Sequence, residues 1–168
     1  RGESYSDFGE TATGKLSARY DFAPWFAIRG TASTGFRAPS LQQQYFTSTA
    51  SVLGTGGAVV ETGLFPSTSA VGVALGGQPL RAEKSRNLSA GFVLRSGGFD
   101  LSVDAYQIKQ RDQIALSENL SGTVVAALLA PYNVSAGRFL LNGIRSTTKG
   151  IDIVAHYRKA TPAAGTFD

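Results

Sequence analysis

Two stretches decide the fold of this 168-residue chain: TGFRAPSLQQQYF (residues 34–46) and LRAEKSRNLSAGF (residues 80–92). Each adjoins a segment in which apolar or small residues alternate with Arg, Ser, Gly and Asn, and a long segment rich in Gly, Ser and Thr separates them. Alternation with period two indicates a β-strand with one apolar and one polar face. Two such strands around a long loop are typical of a large membrane barrel with a polar lumen.

The composition narrows the class of protein. Charged residues make up 17% of the chain, below the roughly 25% that is usual in soluble domains. Cys is absent, which excludes disulfides, thiolate metal sites and a cysteine nucleophile. The net charge is +4, and the basic residues are spread along the predicted strands rather than clustered. We therefore expect no nucleic-acid-binding surface.

The chain has no apolar run long enough for a transmembrane helix. It starts without Met or a signal peptide, and it stops where a further strand begins. We therefore expect it to be a fragment of a longer protein.

Period-two alternation predicts five strands, with a sixth beginning at the end, over residues 15–22, 26–37, 87–95, 99–106 and 144–158. Short connections at 23–24, 96–98 and 161–165 alternate with long ones at 40–80 and 117–142, where TVVAALLA (residues 123–130) predicts a short helix. Short turns at one end and long loops at the other are typical of periplasmic turns and extracellular loops.

The predicted fold class is all-β, an antiparallel transmembrane β-barrel fragment of about five to six strands from a larger barrel. A soluble β-sandwich would also alternate. The low charge, the asymmetry of the connections and the aromatic residues near the short turns favour the barrel, the aromatic residues being Tyr20, Phe22, Trp25, Phe26, Phe99 and Tyr157.

Four stretches carry a family resemblance: the two quoted above, VDAYQIKQRDQI (residues 103–114) and FLLNGIRSTTKGIDI (residues 139–153). In this order they resemble the C-terminal half of the barrel of TonB-dependent outer-membrane receptors, and YSDFGETATGKLSARYDFAPW (residues 5–25) resembles the preceding strand. The resemblance covers nearly all of the chain except residues 47–79. It implies that residues 1–168 are a partial barrel domain without the plug domain and the TonB-coupling segment.

The resemblance also implies the function. The parent protein would bind and import a scarce nutrient across the outer membrane of a Gram-negative bacterium with energy from the TonB system. Its expected partners are outer-membrane lipid, its own plug domain, the TonB complex and a small-molecule cargo (a ferric chelate, most often a siderophore, cobalamin or an oligosaccharide). Neither a cofactor nor an enzymatic activity is expected. The alternative is a soluble β-domain that binds carbohydrate or mediates adhesion.

Charged side chains in membrane strands have to face water, protein or a partner charge. We therefore expect a lumen-facing set, which either lines an ion-paired wall that seats the plug or contacts cargo: Arg19, Arg29, Arg86, Asp104, Asp152 and His156. Specificity on a rigid scaffold is carried by loops. The expected ligand-binding residues therefore lie where the long loop leaves and returns: Arg37, Gln42, Gln43, Gln44, Tyr45 and Glu83.

His156 is the only histidine, and Asp152 precedes it by four residues on the same face. A metal site usually needs three or four converging ligands, and no second His or any Cys is present. A hydrolytic triad would need a nucleophile on a strained turn, and the chain has no G-x-S-x-G. We therefore predict neither a metal site nor a catalytic residue.

Overall fold

The structure is a computed structural model, and it describes residues 1–6, 9–53, 57, 59–161 and 165–167. Within these residues the strands are β1 Gly2–Tyr5, β2 Gly9–Ala12, β3 Lys15–Ala23, β4 Phe26–Arg37, β5 Ser48–Leu53, β6 Val59–Phe65, β7 Glu83–Ser96, β8 Phe99–Leu116, β9 Ala136–Tyr157, β10 Lys159–Thr161 and β11 Gly165–Phe167. The helices are α1 Leu41–Tyr45, α2 Ala70–Ala74 and α3 Thr123–Leu129, and Ala130–Tyr132 forms a 3₁₀ turn.

A seven-stranded sheet in the order β3-β4-β7-β8-β9-β6-β5 dominates the structure. Its first five strands are the five that the alternation predicts, and neighbours among them pair antiparallel. Strands β8 and β9 are longer than predicted: β8 continues through its polar segment to Leu116, and β9 begins at Ala136. The sheet is open rather than closed into a barrel.

Tight turns join the long strands at one end, as predicted. β3 passes into β4 through Pro24 and Trp25. β7 passes into β8 through Gly97 and Gly98, whose φ angles are 57° and 87°. Two successive residues with positive φ define the type I′ hairpin turn, which side chains other than Gly and Asn adopt only with strain. The third predicted turn, at 161–165, includes residues that lie outside the described part of the chain.

At the opposite end, the two long connections fold against each other. The long connection predicted over residues 40–80 contains regular structure that the sequence reasoning did not predict, namely α1, the β5–β6 hairpin and α2. The predicted helix in the second connection is confirmed as α3. β6 pairs in parallel with the outer part of β9. A small apolar core lies between the two connections: Phe65, Val71, Leu129 and Val134, with Leu75 and Val125 against it. We call β5, β6, α2, α3 and residues 136–139 the cap.

Strand register sorts the side chains of β3, β4, β7, β8 and β9 onto two faces, because successive residues of a strand point to opposite sides. One row across the sheet reads Arg19, Arg29, Gly91, Asp104 and Asp152, and its face is called the polar face. The next row reads Tyr20, Ile28, Phe92, Val103 and Ile153, and its face is called the apolar face.

The apolar face is exposed. Leu16 retains 75% of its accessible surface, and Ile151 and Ile153 retain 68% each. Contiguous exposed apolar surface marks a region that contacts protein or membrane. Among the described residues, no helix is long and apolar enough to cross a bilayer.

Candidate functional site

The polar face carries an ion pair that bridges two strands across a third. Arg29 on β4 donates from Nε to Oδ1 of Asp104 on β8 over 2.8 Å, and its Nη2 contacts Oδ2 of the same carboxylate. Gly91 of β7 lies between the two strands in register. A Cβ at position 91 would lie 2.2 Å from Asp104 Oδ1. The bidentate pair therefore requires glycine at this position.

The other predicted charges of this face lie in the same row or nearer the tight turns. Arg19 donates to Asp21 on its own strand, with Nη2 at 2.7 Å from Oδ1. Asp152 pairs in register with Asp104, which gives that row two carboxylates beside two guanidinium groups. His156 pairs in register with Asp100, in the row of the polar face that is nearest the β7–β8 turn. The row that contains Asp104 therefore carries equal numbers of positive and negative side chains.

Arg86 is the exception, and its predicted place on the polar face is wrong. It pairs in register with Thr34 on β4 and with Lys109 on β8. Positions 86 and 88 share one face because side chains alternate with period two. Arg86 therefore lies on the face of Leu88, beyond the apolar rows.

At the long-loop end, Arg37 and Glu83 pair with each other. Arg37 donates from Nε to Glu83 Oε2 at 2.7 Å and from Nη2 to Oε1 at 2.5 Å. The backbone N–H of Ile114 on β8 donates to Glu83 Oε1 at 2.8 Å. The Glu83 side chain is 9% exposed and that of Arg37 is 63% exposed. One carboxylate thus joins β4, β7 and β8 where the long loop leaves and returns.

This geometry shifts the pKa of both groups toward the charged forms. The hydrogen bonds from the Arg37 guanidinium hold the pKa of the Glu83 carboxyl below its usual range; burial opposes this, and the Ile114 N–H adds to it. The same hydrogen bonds raise the pKa of Arg37. Hydrogen bonds that stabilise the ionised form act in this direction.

Asn142 on β9 fixes the same region, and the sequence reasoning missed it. Its Oδ1 accepts from the backbone N–H of Arg81 at 2.8 Å, and its Nδ2 donates to the carbonyls of Arg81 at 2.9 Å and of Asp112 at 2.6 Å. Asp112 has a φ of 58° at an irregularity in the β8–β9 pairing. The sequence signal for this residue is the single Asn within the strand segment FLLNGIRST. Asn is depleted in β-strands, so its presence there indicates a structural role.

The four residues predicted after Arg37 lie in helix α1, which begins at Leu41. Ser40 caps it: Ser40 Oγ accepts from the Gln43 backbone N–H at 3.1 Å, and the Gln43 side chain accepts from the Ser40 N–H at 3.0 Å. Gln44 donates to the carbonyl of Pro39 at 3.3 Å. Gln42 is exposed, and Tyr45 is 62% exposed. The capping box therefore uses one glutamine, and the helix presents Gln42 and Tyr45 to solvent.

Within the described part of the chain, no group of three or more His, Cys, Asp or Glu side chains could hold a metal ion. The arrangement offers hydrogen-bonding, aromatic and charged groups for binding at the long-loop end.

An open sheet of long antiparallel strands, with a charge-paired face, an exposed apolar face and folded loops at one end, has the pattern of one side of a large β-barrel. The whole chain, residues 1–168, matches the family described as TonB dependent receptor-like, beta-barrel. The chain belongs to this family, which consists of transport receptors rather than enzymes.

Three solved structures illustrate the fold that this chain shares with longer proteins. The siderophore receptor PirA from Pseudomonas aeruginosa is 16% identical with a TM-score of 0.67, over 90% of this chain and 26% of that one. A mutant of the ferric enterobactin receptor PfeA from the same species, in complex with enterobactin, is 15% identical with a TM-score of 0.66, over 97% and 22%. PirA from Acinetobacter baumannii is 12% identical with a TM-score of 0.63, over 89% and 21%.

The chain thus spans about a quarter or less of the length of these receptors. A search of curated protein sequences finds no match.

Proposed function

We propose that this chain forms part of the barrel wall of a TonB-dependent receptor in the outer membrane of a Gram-negative bacterium. The whole receptor would import a siderophore or a similar ferric chelate with energy from the TonB system. The observation that carries the proposal is the two-faced sheet in a chain that matches the family over its whole length. The partial barrel would be completed by further strands of the same protein.

The exposed apolar face supports the membrane assignment over the alternative of a soluble carbohydrate-binding domain. Leu16, Ile28 and Leu88 are 75%, 42% and 56% exposed, because no element within the described residues covers them. A soluble domain rarely leaves such a continuous apolar surface in water. Lipid chains would cover it in a membrane, with the tight turns in the periplasm and the cap outside.

The polar face would then line the lumen, where the plug domain resides in this family. Most of its charges are already neutralised by one another, as the Arg29–Asp104 pair shows. Such a wall can seat a plug without binding it irreversibly, because few unpaired charges have to be desolvated. Arg19, Asp152 and His156 are the residues of this face proposed to contact the plug.

The proposed cargo contacts lie at the outer end, on α1 and beside it. Gln42 and Tyr45 are exposed on a capped helix that begins four residues after Arg37, whose side chain is 63% exposed. An exposed phenol and a guanidinium can stack on and neutralise an anionic catecholate chelate. Gln43, Gln44 and Glu83 would support these groups, since their side chains already bond to the protein.

Binding of ferric enterobactin, a ferric hydroxamate, cobalamin and an oligosaccharide to the full-length receptor tests the proposal. For the chelate that binds, Tyr45→Ala and Arg37→Gln should each weaken binding about tenfold, the loss expected for an aromatic or Arg contact at the centre of an interface. Val73→Ala is the matched control, since Val73 is 57% exposed on α2 of the same loop.

Unchanged affinity in both variants would remove α1 and Arg37 from the binding site. Binding of cobalamin or the oligosaccharide, with no binding of either iron chelate, would replace the proposed cargo while leaving the receptor assignment standing. The absence of the receptor from the outer-membrane fraction would overturn the assignment itself.

A further inference from the structure

The polar face is uncharged between its two ion pairs, Arg29–Asp104 and Arg37–Glu83. Three rows separate these pairs, and on β4, β7, β8 and β9 they contain only Ser, Thr, Asn, Gln, Tyr, Ile and Gly. Such a surface binds by hydrogen bonds and stacking rather than by charge. We call it the neutral zone, and its three rows are those that contain the β8 residues Tyr106, Ile108 and Gln110.

Tyr106 presents the face of its ring in this zone. It lies in register with Ser89 of β7 and Gly150 of β9. A Cβ at position 150 would meet Cζ and the hydroxyl of Tyr106 and would lie 2.8 Å from its Cε1. The half-buried ring therefore lies flat over Gly150, where any side chain would displace it. Its other face is turned to the open side of the sheet, as a flat surface for stacking.

Gln110 supplies a hydrogen-bond donor at the outer end of the zone. Its Oε1 accepts from Gln113 Nε2 and from Ser146 Oγ, both at 3.3 Å. Because the amide oxygen is engaged twice, Nε2 remains as the group that donates to a ligand. Gln110 also lines a cavity of about 240 Å³, whose lining includes Arg37 and Glu83. Both oxygens of Glu83 already accept hydrogen bonds, so this cavity offers mainly donors.

The neutral zone lies at the outer end of the membrane-crossing part of the strands. Tyr106 is eight residues beyond Gly98 of the tight turn, or about 27 Å along an extended strand. A tilted strand crosses a bilayer in about 9–11 residues. In the orientation proposed above, Tyr106 and Gln110 therefore line the mouth of the lumen, on the side of the long loops. Arg37, a proposed cargo contact, borders them.

We propose that the neutral zone binds an aromatic chelating ring of the cargo, which stacks on Tyr106 while Gln110 donates to its oxygen atoms. This assignment rests on the transport function proposed above and narrows its cargo to a catecholate chelate. Planar rings stack with an offset on a tyrosine ring, and ring oxygens need donors at the ring edge. A hydroxamate chelate has no ring to place on Tyr106. Lys15 of β3, in register with Ser33, adds a positive charge at the border of the zone for an anionic chelate.

The affinities of the full-length receptor for ferric enterobactin and for a ferric hydroxamate test this proposal. Tyr106→Leu removes the ring but keeps an apolar side chain, and it should weaken ferric enterobactin binding about three- to tenfold, the loss expected for one aromatic pair. Tyr106→Phe should keep most of the affinity. Tyr20→Leu is the matched control, since Tyr20 is 62% exposed on the apolar face. It should leave the affinity unchanged.

The seat of the ring and the donor are tested separately. Gly150→Ala should displace the ring and weaken ferric enterobactin binding several-fold, but it should add no further loss when combined with Tyr106→Leu. Gly30→Ala, whose methyl group would meet only an ordinary contact at 3.6 Å, should bind as the wild type. Gln110→Glu replaces the donor with an acceptor and should weaken binding several-fold, whereas Gln107→Glu adds the same charge on the other face of β8. Circular dichroism of each variant shows that the sheet is intact.

Several results would overturn the proposal. Unchanged ferric enterobactin affinity in Tyr106→Leu would remove the ring contact, and a loss of transport in that variant would then assign the neutral zone to the plug. Equal losses for ferric enterobactin and the hydroxamate would mean that Tyr106 supports the sheet rather than a ligand ring. A wild-type receptor that binds only the hydroxamate would refute the catecholate while the transport function stands. A receptor that binds neither iron chelate would remove the siderophore cargo itself.

Discussion

The two ends of this sheet are stabilised by different means. Apart from Ala27, the buried apolar side chains of the described chain lie in the cap or where it joins the sheet: Phe65, Val71, Leu80, Ala82, Leu129, Val134, Ala136 and Phe139. The rows nearer the tight turns bury almost nothing and depend on backbone ladders and cross-strand pairs. We call the five long strands β3, β4, β7, β8 and β9 the wall. The cap has its own small apolar core, whereas the apolar face of the wall has to be covered by lipid or by other protein.

This difference predicts the largest effect in the cap core. Leu129 is completely buried against Val134 and Phe65. Leu129→Ala should destabilise the cap by about 2–5 kcal/mol through the cavity that it leaves. Hydrogen exchange in the full-length receptor should show faster exchange in α3 and β6 and unchanged exchange in β3 and β4.

Val124→Ala is the control on the same helix, since Val124 is 83% exposed. It should leave all these rates unchanged. If Leu129→Ala also accelerated exchange in β3 and β4, the cap and the wall would form one cooperative unit and the comparison would fail.

The wall should be most sensitive where backbone and side chain approach closely. In Gly91→Ala the new methyl group would meet Asp104 Oδ1 at 2.2 Å and the Val103 carbonyl at 2.4 Å. The Arg29–Asp104 pair has to break or the strands have to move apart, at a cost of about 1–3 kcal/mol, the usual range for overpacking. Thermal unfolding of the receptor should show a lower midpoint.

Gly30→Ala is the matched control. A methyl group there would have the Ser89 carbonyl as its nearest neighbour at 3.6 Å, an ordinary contact. A lower midpoint for Gly30→Ala as large as for Gly91→Ala would show that β-strand glycines matter generally and not through the ion pair.

The five long strands β3, β4, β7, β8 and β9 could be predicted from sequence because period-two alternation is a local signal, and all five appear in the structure. The cap could not, since its core joins residues of two loops, Phe65 and Leu129, whose short helices and strands each carry too few residues for a recognisable period. The placement of Arg86 was wrong for a simpler reason. Arg86 lies two residues before Leu88 on β7 and therefore on the same face, whereas the prediction assumed that every strand charge faces the lumen.

The pairing of Arg37 with Glu83 joins the two stretches that first indicated the fold. Their sequence positions, 46 residues apart, gave the approximate place of each but not the contact. The register of β4 on β7 makes that contact, since it sets Arg37 opposite Glu83. Asn142 and the irregularity at Asp112 are likewise tertiary features, fixed only when β8 and β9 pair.

The smallest predicted effect concerns the contact of Glu83 with Arg37 and Ile114, which joins β4, β7 and β8 at the long-loop end, and it depends on pH. The pKa of Glu83 is lower in the folded protein than its ordinary value, mainly through the hydrogen bonds from Arg37. The stabilisation is therefore complete above the ordinary carboxyl pKa of about 4.3 and is lost as the pH falls through the lower folded value. We expect a contribution of about 1 kcal/mol at neutral pH, modest because water screens the exposed Arg37.

Glu83→Gln should remove this pH dependence. Exchange protection of the Ile114 amide in the full-length receptor should fall between pH 5 and pH 3 in the wild type, after correction for the intrinsic rate, and stay level in the variant. Glu118→Gln, an exposed carboxylate of the second long connection, should behave as the wild type. Equal pH dependence in Glu83→Gln and the wild type would mean that another titrating group protects the Ile114 amide.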